Sequence, residues 1–279
     1  NDLDAAAGRT GMGAVMGSKN LKAIAVRGHN RLAVADAAAV KALGQWFRDN
    51  MESLCKGLHD FGTARVVRAL NRSGILPTRN FQEGTFEGAE KITGQAMAES
   101  ILVGRRSCYA CSIKCKREVK VEGKYQVDPR YGGPEYETIA SMGSDCGVDD
   151  LTAIAKANEL CQAYGLDTIS CGASIAFAME CAAQGILRKV DMGGLDLAFG
   201  KAAAVGEMGG RIGRREGLGD LLAEGVARAS RRLGPAAEGL ALHVKGQELP
   251  MHEPRLKQGL GLGYAISPTG ADHCHNIHD

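Results

Sequence analysis

Residues 149–185 read DDLTAIAKANELCQAYGLDTISCGASIAFAMECAAQG, and this stretch decides the class of fold. Asp149 or Asp150 is placed to cap a helix that Gly165 ends, and Asp167 is placed to cap a second helix that Gly185 ends. Apolar residues share one helical face in the first segment, at Leu151, Ile154, Ala155 and Cys161. The second segment is also apolar, at Ile169, Ile175, Phe177 and Met179. The stretch therefore predicts two consecutive α-helices.

Helical patterns also flank this pair, whereas strand patterns are few. Further helices are predicted over residues 33–50, 61–73, 94–101, 135–143, 195–208 and 219–233. We expect Thr63 to cap the helix over residues 61–73. A strand is predicted over residues 21–26, and a short hairpin is predicted within residues 119–127. We therefore expect a mainly α fold with a small β remnant near the N-terminus.

The composition is that of an ordinary globular protein. The 279 residues include 44% hydrophobic and 24% charged residues, and the length exceeds the usual size of one domain. A net charge of +2 and an aromatic content of 5% argue against a nucleic-acid partner and an anionic membrane surface. No apolar run approaches the length of about 20 residues that a transmembrane helix needs. We therefore expect neither a nucleic-acid nor a membrane partner.

Cysteine usage indicates metal chemistry rather than disulfides. The nine cysteines are an odd number in a chain that is not small and that shows no signal peptide. These features favour a reducing compartment. The chain starts at Asn1 within a glycine-rich segment and stops at Asp279 within a histidine-rich one. We expect it to be an internal piece of a longer protein, with some of its chemistry outside the piece.

The strongest local motif is Cys108-Tyr-Ala-Cys111-Ser-Ile-Lys-Cys115. Three cysteines within eight residues suit a [4Fe–4S] cluster better than zinc, although a zinc knuckle or three unrelated buried thiols would also be consistent with the spacing. Cations that would stabilise an anionic cluster lie at Arg105, Arg106, Lys114, Lys116 and Arg117. Candidates within the chain for a fourth ligand are Cys146, Cys161, Cys171, Cys181 and Cys274.

Six short blocks follow one another along the chain. They are residues 8–26, 108–115, 133–138, 164–170, 244–250 and 267–273. In this order they resemble the aldehyde ferredoxin oxidoreductase family, whose members are considerably longer. The resemblance implies that residues 1–30 are the end of an N-terminal β domain that supports the pterins. It implies that residues 31–279 form truncated helical domains.

The resemblance also implies the cofactors and partners. They are tungsten or molybdenum held by two pterins, a [4Fe–4S] cluster, magnesium bridging the pterin phosphates, an aldehyde substrate and ferredoxin as electron carrier. A homodimer and an anaerobic cytoplasm are compatible with it. The metal needs no protein ligand motif, because the cofactor brings its own sulfur ligands.

Cofactor-binding roles follow from the resemblance residue by residue. Cys108, Cys111 and Cys115 resemble three of the cluster ligands, and the fourth ligand would then lie outside this chain. The turn formed by Ala7, Gly8 and Arg9 resembles the segment beside the pterin phosphates, although by itself it predicts only a tight turn. Asp167 resembles a pterin-contacting aspartate, and its alternative role is a helix N-cap.

Catalytic roles follow from the last blocks. Glu135, Glu137 and His273 resemble residues close to the metal, where they would handle protons. One of the two glutamates could instead be structural, since acidic residues are common at a helix start. His273 together with His275 and His278 could alternatively bind a divalent metal.

The resemblance thus implies the oxidation of an aldehyde, with water as the source of oxygen, to a carboxylic acid, with electrons leaving through the cluster to ferredoxin. His252 is a weaker candidate for the same site. One alternative is a related tungsten enzyme that reduces an aromatic thioester. The presence of Cys171 could indicate the different active site of such an enzyme. Two others are a non-catalytic iron–sulfur electron-transfer subunit and a structural zinc protein.

Overall fold

The computed structural model describes residues 3–6, 8, 9, 11–30, 32–188 and 190–273. This part of the chain is mainly α-helical, as predicted. Its helices are α1 (Met12–Ser18), α2 (Ala37–Phe61), α3 (Val67–Arg72), α4 (Gly94–Ser100), α5 (Tyr136–Met142), α6 (Leu151–Tyr164), α7 (Thr168–Ala183), α8 (Ala202–Arg214), α9 (Leu218–Leu222), α10 (Val226–Leu233), α11 (Pro235–Glu238) and α12 (Gln258–Ile266). Its strands are β1 (Leu102–Arg106), β2 (Lys116–Val119), β3 (His243–Val244) and β4 (Gln247–Glu248).

The predicted helix pair is confirmed as α6 and α7. A side-chain oxygen of Asp150 accepts hydrogen bonds from the backbone nitrogens of Thr152 and Ala153, and Gly165 ends α6 with a φ of 71°. Asp167 caps α7 by accepting a hydrogen bond from the backbone nitrogen of Ser170 at 3.1 Å. The helix starts are therefore set by local capping.

Helices α5, α6 and α7 form the centre of the core. Ile139, Ile154 and Phe177, one from each helix, are completely buried. Helices α5 and α7 approach closely at Gly172, where a Cβ atom would lie 2.6 Å from the Cβ of Ser141. The hydroxyl of Thr138 donates to that of Thr168 at 2.9 Å, so the starts of α5 and α7, which both carry candidate site residues, also lie side by side.

Two predicted helices that follow α7 have different boundaries in the structure. The helix expected over residues 195–208 is α8, which continues through Gly209 and Gly210 to Arg214. Packing of α8 against α6 outweighs the low helix propensity of these glycines. The helix expected over residues 219–233 is divided into α9 and α10 at Gly225, which has a φ of 82°.

The β predictions were largely wrong. Residues 21–30 form no regular structure, and the side chains of Ile24 and Val26 are exposed. In the described ranges no strand lies beside them to complete a ladder of hydrogen bonds. The hairpin expected within residues 119–127 is reduced to one bridge between Val121 and Val127.

A hairpin forms instead from β1 and β2, with Arg105 paired to Arg117, and the cysteine motif is its connection. The helix predicted over residues 33–50 began too early and ended too early. Helix α2 begins after Asp36, which accepts a hydrogen bond from the backbone nitrogen of Ala39 at 2.8 Å, and it continues to Phe61. Its C-terminus ends beside the cysteine connection.

The described helices were compared with the length and hydropathy that a membrane-spanning helix requires. No single helix among them combines the length and apolar character needed to cross a bilayer. Helices α6 and α7 meet the criterion only as a pair bent by 120°.

Candidate functional site

The candidate acid–base group lies where α5 begins. Oε1 of Glu137, in the first turn of α5, lies 2.9 Å from Nε2 of His252 and 3.3 Å from Nε2 of His273. Oε2 of Glu137 accepts a hydrogen bond from the backbone nitrogen of Met251 at 2.8 Å. The two imidazole rings are stacked, with centroids 5.5 Å apart and an interplanar angle of 23°. One carboxylate therefore joins two histidines that follow β4 in the chain.

The hydrogen bonds and charges within this group shift the pKa values of Glu137 and His273. Burial favours the neutral acid, but the hydrogen bonds and charges of His252 and His273 outweigh it and lower the pKa of Glu137 to about 2. The hydrogen bond with Glu137 raises the pKa of His273 above its ordinary value. At neutral pH Glu137 is therefore ionised, and His273 can carry a proton. Because the three ligand atoms lie within 4.8 Å of one another, the group could also hold a divalent cation.

Glu135 lies at the same helix start in a different environment. Its Oε2 accepts a hydrogen bond from the hydroxyl of Thr63, and the same hydroxyl oxygen accepts one from the backbone nitrogen of Tyr136. Burial raises the pKa of Glu135, although the hydrogen bond from Thr63 opposes the shift. The expectation that Thr63 caps its own helix was wrong, because Gly62 is the N-cap there and Thr63 fixes the start of α5 instead.

Three adjoining cavities connect these residues to the N-terminal turn. A cavity of about 660 Å³ is lined by both glutamates, both histidines and the apolar side chains of Leu58 and Val66. A second, of about 220 Å³, shares Glu135 and Glu137 with the first and Asp167 with a third. The third cavity, of about 590 Å³, is lined by Gly8, Arg9 and Gly11. The second cavity thus shares a wall with each of the other two, and we call this row of three cavities the cleft.

The N-terminal turn is anchored to this cleft through Arg9. Nε of Arg9 lies 3.1 Å from Oδ2 of Asp167, and the remaining guanidinium nitrogens donate to Ser170, Glu248 and Ala271. Asp167 is thus both the predicted N-cap and an ion-pair partner, and its side chain remains 33% exposed in the cleft. Ala7, the other predicted member of the turn, lies outside the described residues.

Backbone access supports a phosphate role for the turn. A Cβ atom placed at Gly8, Gly11 or Gly13 would meet no atom of the described residues within 4 Å. Gly11 also has a φ of 78°, which an L side chain rarely adopts. Gly8, Gly11 and, in the first turn of α1, Gly13 therefore present open backbone to the third cavity, as a phosphate-binding segment would.

The cysteine motif closes the β1–β2 hairpin. Cys108 is exposed, Cys111 and Cys115 are half-buried, and all three are free thiols. Burial raises the pKa of Cys115, and the charge of Glu135 raises it further. Metal binding would therefore have to displace a proton from Cys115. The three sulfurs lie on one short connection, which suits a shared metal centre.

The predicted candidates for a fourth ligand lie elsewhere. The four that the structure describes are all buried: Cys146, Cys161, Cys171 and Cys181. They belong to the helical core around α6 and α7, whereas Cys108 is at the surface. Cys274 lies outside the described residues, as do His275 and His278.

The structure gives His252 more weight than sequence inspection did. Its Nε2 lies closer to Glu137 than that of His273 does. The sequence feature that could have pointed to His252 is its position just after residues 244–250, one of the six ordered blocks. The contacts of Thr63 and Arg9 carried no comparable signal, because their partners are distant in sequence.

Comparisons with known proteins agree with the ordered blocks. The family model described as the N-terminal domain of aldehyde ferredoxin oxidoreductase matches residues 1–28, and the model of its domains 2 and 3 matches residues 38–278. The chain is 41% identical to a tungsten-containing aldehyde ferredoxin oxidoreductase of Pyrococcus abyssi, over 98% of this chain and 45% of that protein. The chain thus spans less than half the length of this relative.

More distant similarities extend in two directions. The WOR-like subunit of an aliphatic sulfonate oxidoreductase of Pyrococcus furiosus is 31% identical, over 96% of this chain and 44% of that protein. A solved active-site complex, BamBC of benzoyl coenzyme A reductase with 1,5-dienoyl-CoA, has a TM-score of 0.70 at 23% identity, over 94% of this chain and 41% of that one. It shares the fold. Because the two family models match in order and together cover most of the residues, this chain belongs to the aldehyde ferredoxin oxidoreductase family.

Proposed function

We propose that the natural protein oxidises an aldehyde to a carboxylic acid and passes the electrons through a [4Fe–4S] cluster to ferredoxin. The observation that carries this proposal is the contact of Glu137 with His252 and His273 at the wall of the 660 Å³ cavity. The other two cavities of the cleft lie between this cavity and the glycine-rich turn, to judge from their shared lining residues. We assign residues 1–30 to the end of the pterin-supporting domain and residues 31–279 to the helical domains.

The residues present fit the cofactors that the family implies. Gly8 and Gly11 offer open backbone for pterin phosphates and their magnesium, and Asp167 keeps an exposed carboxylate edge in the same cleft. Cys108, Cys111 and Cys115 offer three thiols for the cluster. A tungsten or molybdenum bis-pterin would supply a metal that accepts two electrons.

The reaction needs a group that moves protons beside an apolar wall. Aldehyde and water together lose two electrons and two protons to give the acid. Leu58 and Val66 would pack against the carbon chain of the aldehyde. Glu137 stays ionised and orients His273, and this pair would take the proton from water or from the hydrated aldehyde. Glu135, at the junction of two cavities, would carry protons between them.

The decisive experiment analyses the natural protein purified without oxygen. The proposal expects tungsten or molybdenum, pterin and about four iron atoms per chain, together with reduction of ferredoxin by aldehydes. Glu137→Gln and His273→Gln should each lower kcat by about 100-fold or more with the metals retained. An exposed variant, Glu99→Gln, should not.

Other outcomes would assign the protein elsewhere. Reduction of aromatic thioesters without aldehyde oxidation would indicate the related tungsten chemistry. Iron without tungsten, molybdenum or pterin would indicate an electron-transfer subunit. Zinc alone, or a divalent ion bound by Glu137, His252 and His273, would overturn the proposed mechanism.

A further inference from the structure

Arg117 joins the cysteine connection to the end of α2. It is only 2% exposed, although it is an arginine in a two-stranded hairpin. Its guanidinium donates to four backbone carbonyl groups. These are Asp60 at 2.8 Å, His59 at 2.9 Å, Cys115 at 2.9 Å and Lys114 at 2.7 Å. Two of these carbonyls belong to the last turn of α2 and two to the cysteine connection.

The geometry around this guanidinium is restrictive. Gly62, which ends α2, has a φ of 62°, and a Cβ atom there would lie 3.1 Å from both Nε of Arg117 and the carbonyl oxygen of Cys115. Lys114 has a φ of 55°, a left-handed conformation that a residue with a side chain seldom adopts. The hydrogen bond from Arg117 to the Lys114 carbonyl holds that conformation. Arg117 therefore fixes the backbone conformation of the cysteine connection on the side that faces α2.

The charge of Arg117 is also unusual. No carboxylate oxygen among the described residues lies within 4.0 Å of the guanidinium, so its direct partners there are carbonyl groups. The end of a helix carries only partial negative charge, so α2 offsets part of the positive charge. The titratable groups that face it are Arg105, Glu135, Cys115 and Asp60. A buried cation thus contacts the backbone of the connection that carries the three thiols.

We infer that Arg117 is a positioning residue for the iron–sulfur cluster: it holds the Cys108–Cys115 connection against α2, and its charge stabilises the reduced cluster. The inference rests on the proposed function, in which this connection binds the cluster. A thiolate-ligated cluster becomes more negative on reduction, and a buried cation favours that state more than an exposed one does.

Two substitutions separate the two effects. Arg117→Lys keeps the charge, but one ammonium group cannot reach four carbonyls in two segments. Arg117→Gln keeps two amide donors and removes the charge. Arg105→Gln is the matched control, because Arg105 donates to the same His59 and Asp60 carbonyls from the paired position of β1 but is exposed.

The natural protein is purified without oxygen, and iron content, release of iron to a chelator and the reduction potential are measured. Arg117→Lys should lose iron about tenfold faster, the factor expected for one lost charge-assisted hydrogen bond. Arg117→Gln should shift the one-electron reduction equilibrium about tenfold towards the oxidised cluster, equivalent to 59 mV. Arg105→Gln should change both quantities by less than about twofold, because solvent screens its charge.

Each contrary result has a distinct meaning. A fully iron-loaded Arg117→Gln with an unchanged potential overturns the electrostatic role. An unchanged release of iron from Arg117→Lys overturns the positioning role. Loss of the whole fold in both variants, measured by circular dichroism, overturns the inference by making Arg117 a core residue. Absence of iron from the unaltered protein overturns the proposed function as well.

Discussion

Nε of Arg9 lies 3.1 Å from Oδ2 of Asp167, a residue 158 positions later in the chain. The Arg9 side chain is 7% exposed, and its other nitrogens donate to the carbonyls of Glu248 and Ala271 and to the hydroxyl of Ser170. One guanidinium therefore fastens the N-terminal turn to α7, to β4 and to the segment that carries His273. This one cation therefore contacts both the segment beside the glycine-rich turn and the segment beside His273.

Replacing Arg9 should loosen the chain as a whole. Arg9→Met removes a nearly buried cation and leaves Asp167 and two carbonyls without their donor. We expect a loss of about 2–3 kcal/mol in the free energy of unfolding, measured with urea. Arg188→Met is the control, because that arginine makes an exposed ion pair with Asp191 and should cost at most about 0.5 kcal/mol. Equal losses in the two variants would contradict the anchoring role.

The Arg9–Asp167 contact marks the limit of what the sequence could predict. The capping role of Asp167 depends on three neighbouring residues, and it was predicted correctly. The ion pair depends on how distant segments pack, and no local pattern carries that information. Likewise, the glycines at 209 and 210 were expected to end a helix, but packing against α6 overrides their propensity.

The cysteine motif shows the same division. Its spacing was enough to predict a metal site, whereas its place at the tip of a hairpin could not be predicted, because the pairing of β1 with β2 spans the motif. The strand predicted over residues 21–26 failed for the opposite reason. Its β-branched residues favour a strand, but the described part of the chain supplies no partner for it.

The Glu137–His273 contact should make stability depend on pH in a defined window. The pKa of Glu137 is lowered to about 2, so its contribution is present above its ordinary pKa of 4.5 and is lost as pH falls towards 2. The pKa of His273 is raised above its ordinary value of 6.5, so its contribution is present below pH 6.5 and is lost as pH rises through the raised value. Both contributions coexist between about pH 4.5 and 6.5.

Glu137→Gln should therefore cost most within that window. We expect a loss of about 3 kcal/mol near pH 5.5 in urea unfolding, and a smaller loss at pH 8, where His273 is less charged. Glu99→Gln, at an exposed position of α4, should show little loss at either pH. A loss for Glu137→Gln that is the same at both pH values would show that the two residues do not interact electrostatically.

Ionisation of the buried Asp145 carboxyl group should destabilise the folded state as pH rises. It is completely buried, and burial raises its pKa to about 7, although hydrogen bonds from Phe81 and Asn80 oppose the shift. A carboxyl group whose pKa is higher in the folded state binds its proton more tightly there. Stability is therefore lost between about pH 4 and 7 as the carboxyl is forced to ionise.

Asp145→Asn mimics the neutral acid and removes that loss. We expect the variant to match the unaltered chain at pH 4 and to exceed it by about 2–4 kcal/mol at pH 8 in urea unfolding. Asp220→Asn, at an exposed position, should leave the pH dependence unchanged. A variant at position 145 that is less stable than the unaltered chain at pH 8 would show that the ionised carboxylate is needed by the fold.

Gly172 should couple the packing of α7 to the geometry of the site. A Cβ atom at this position would lie 2.6 Å from the Cβ and 2.7 Å from the backbone carbonyl carbon of Ser141, so α5 itself would have to move. Glu137 lies one turn earlier on α5 and would move with it. Gly172→Ala should therefore destabilise the chain by about 1–3 kcal/mol in urea unfolding. It should also weaken the contact of Glu137 with His273.

Gly206→Ala is the matched control within a helix. A Cβ atom there meets none of the described residues within 4 Å, so the variant should gain about 0.5–1 kcal/mol through helix propensity alone. The imidazole pKa of His273, followed by NMR, should fall towards its ordinary value in Gly172→Ala and stay raised in Gly206→Ala. If both variants keep the raised pKa while only Gly172→Ala is destabilised, α5 absorbs the added methyl group without displacing Glu137. The close contact at Gly172 would then matter for stability and not for the site.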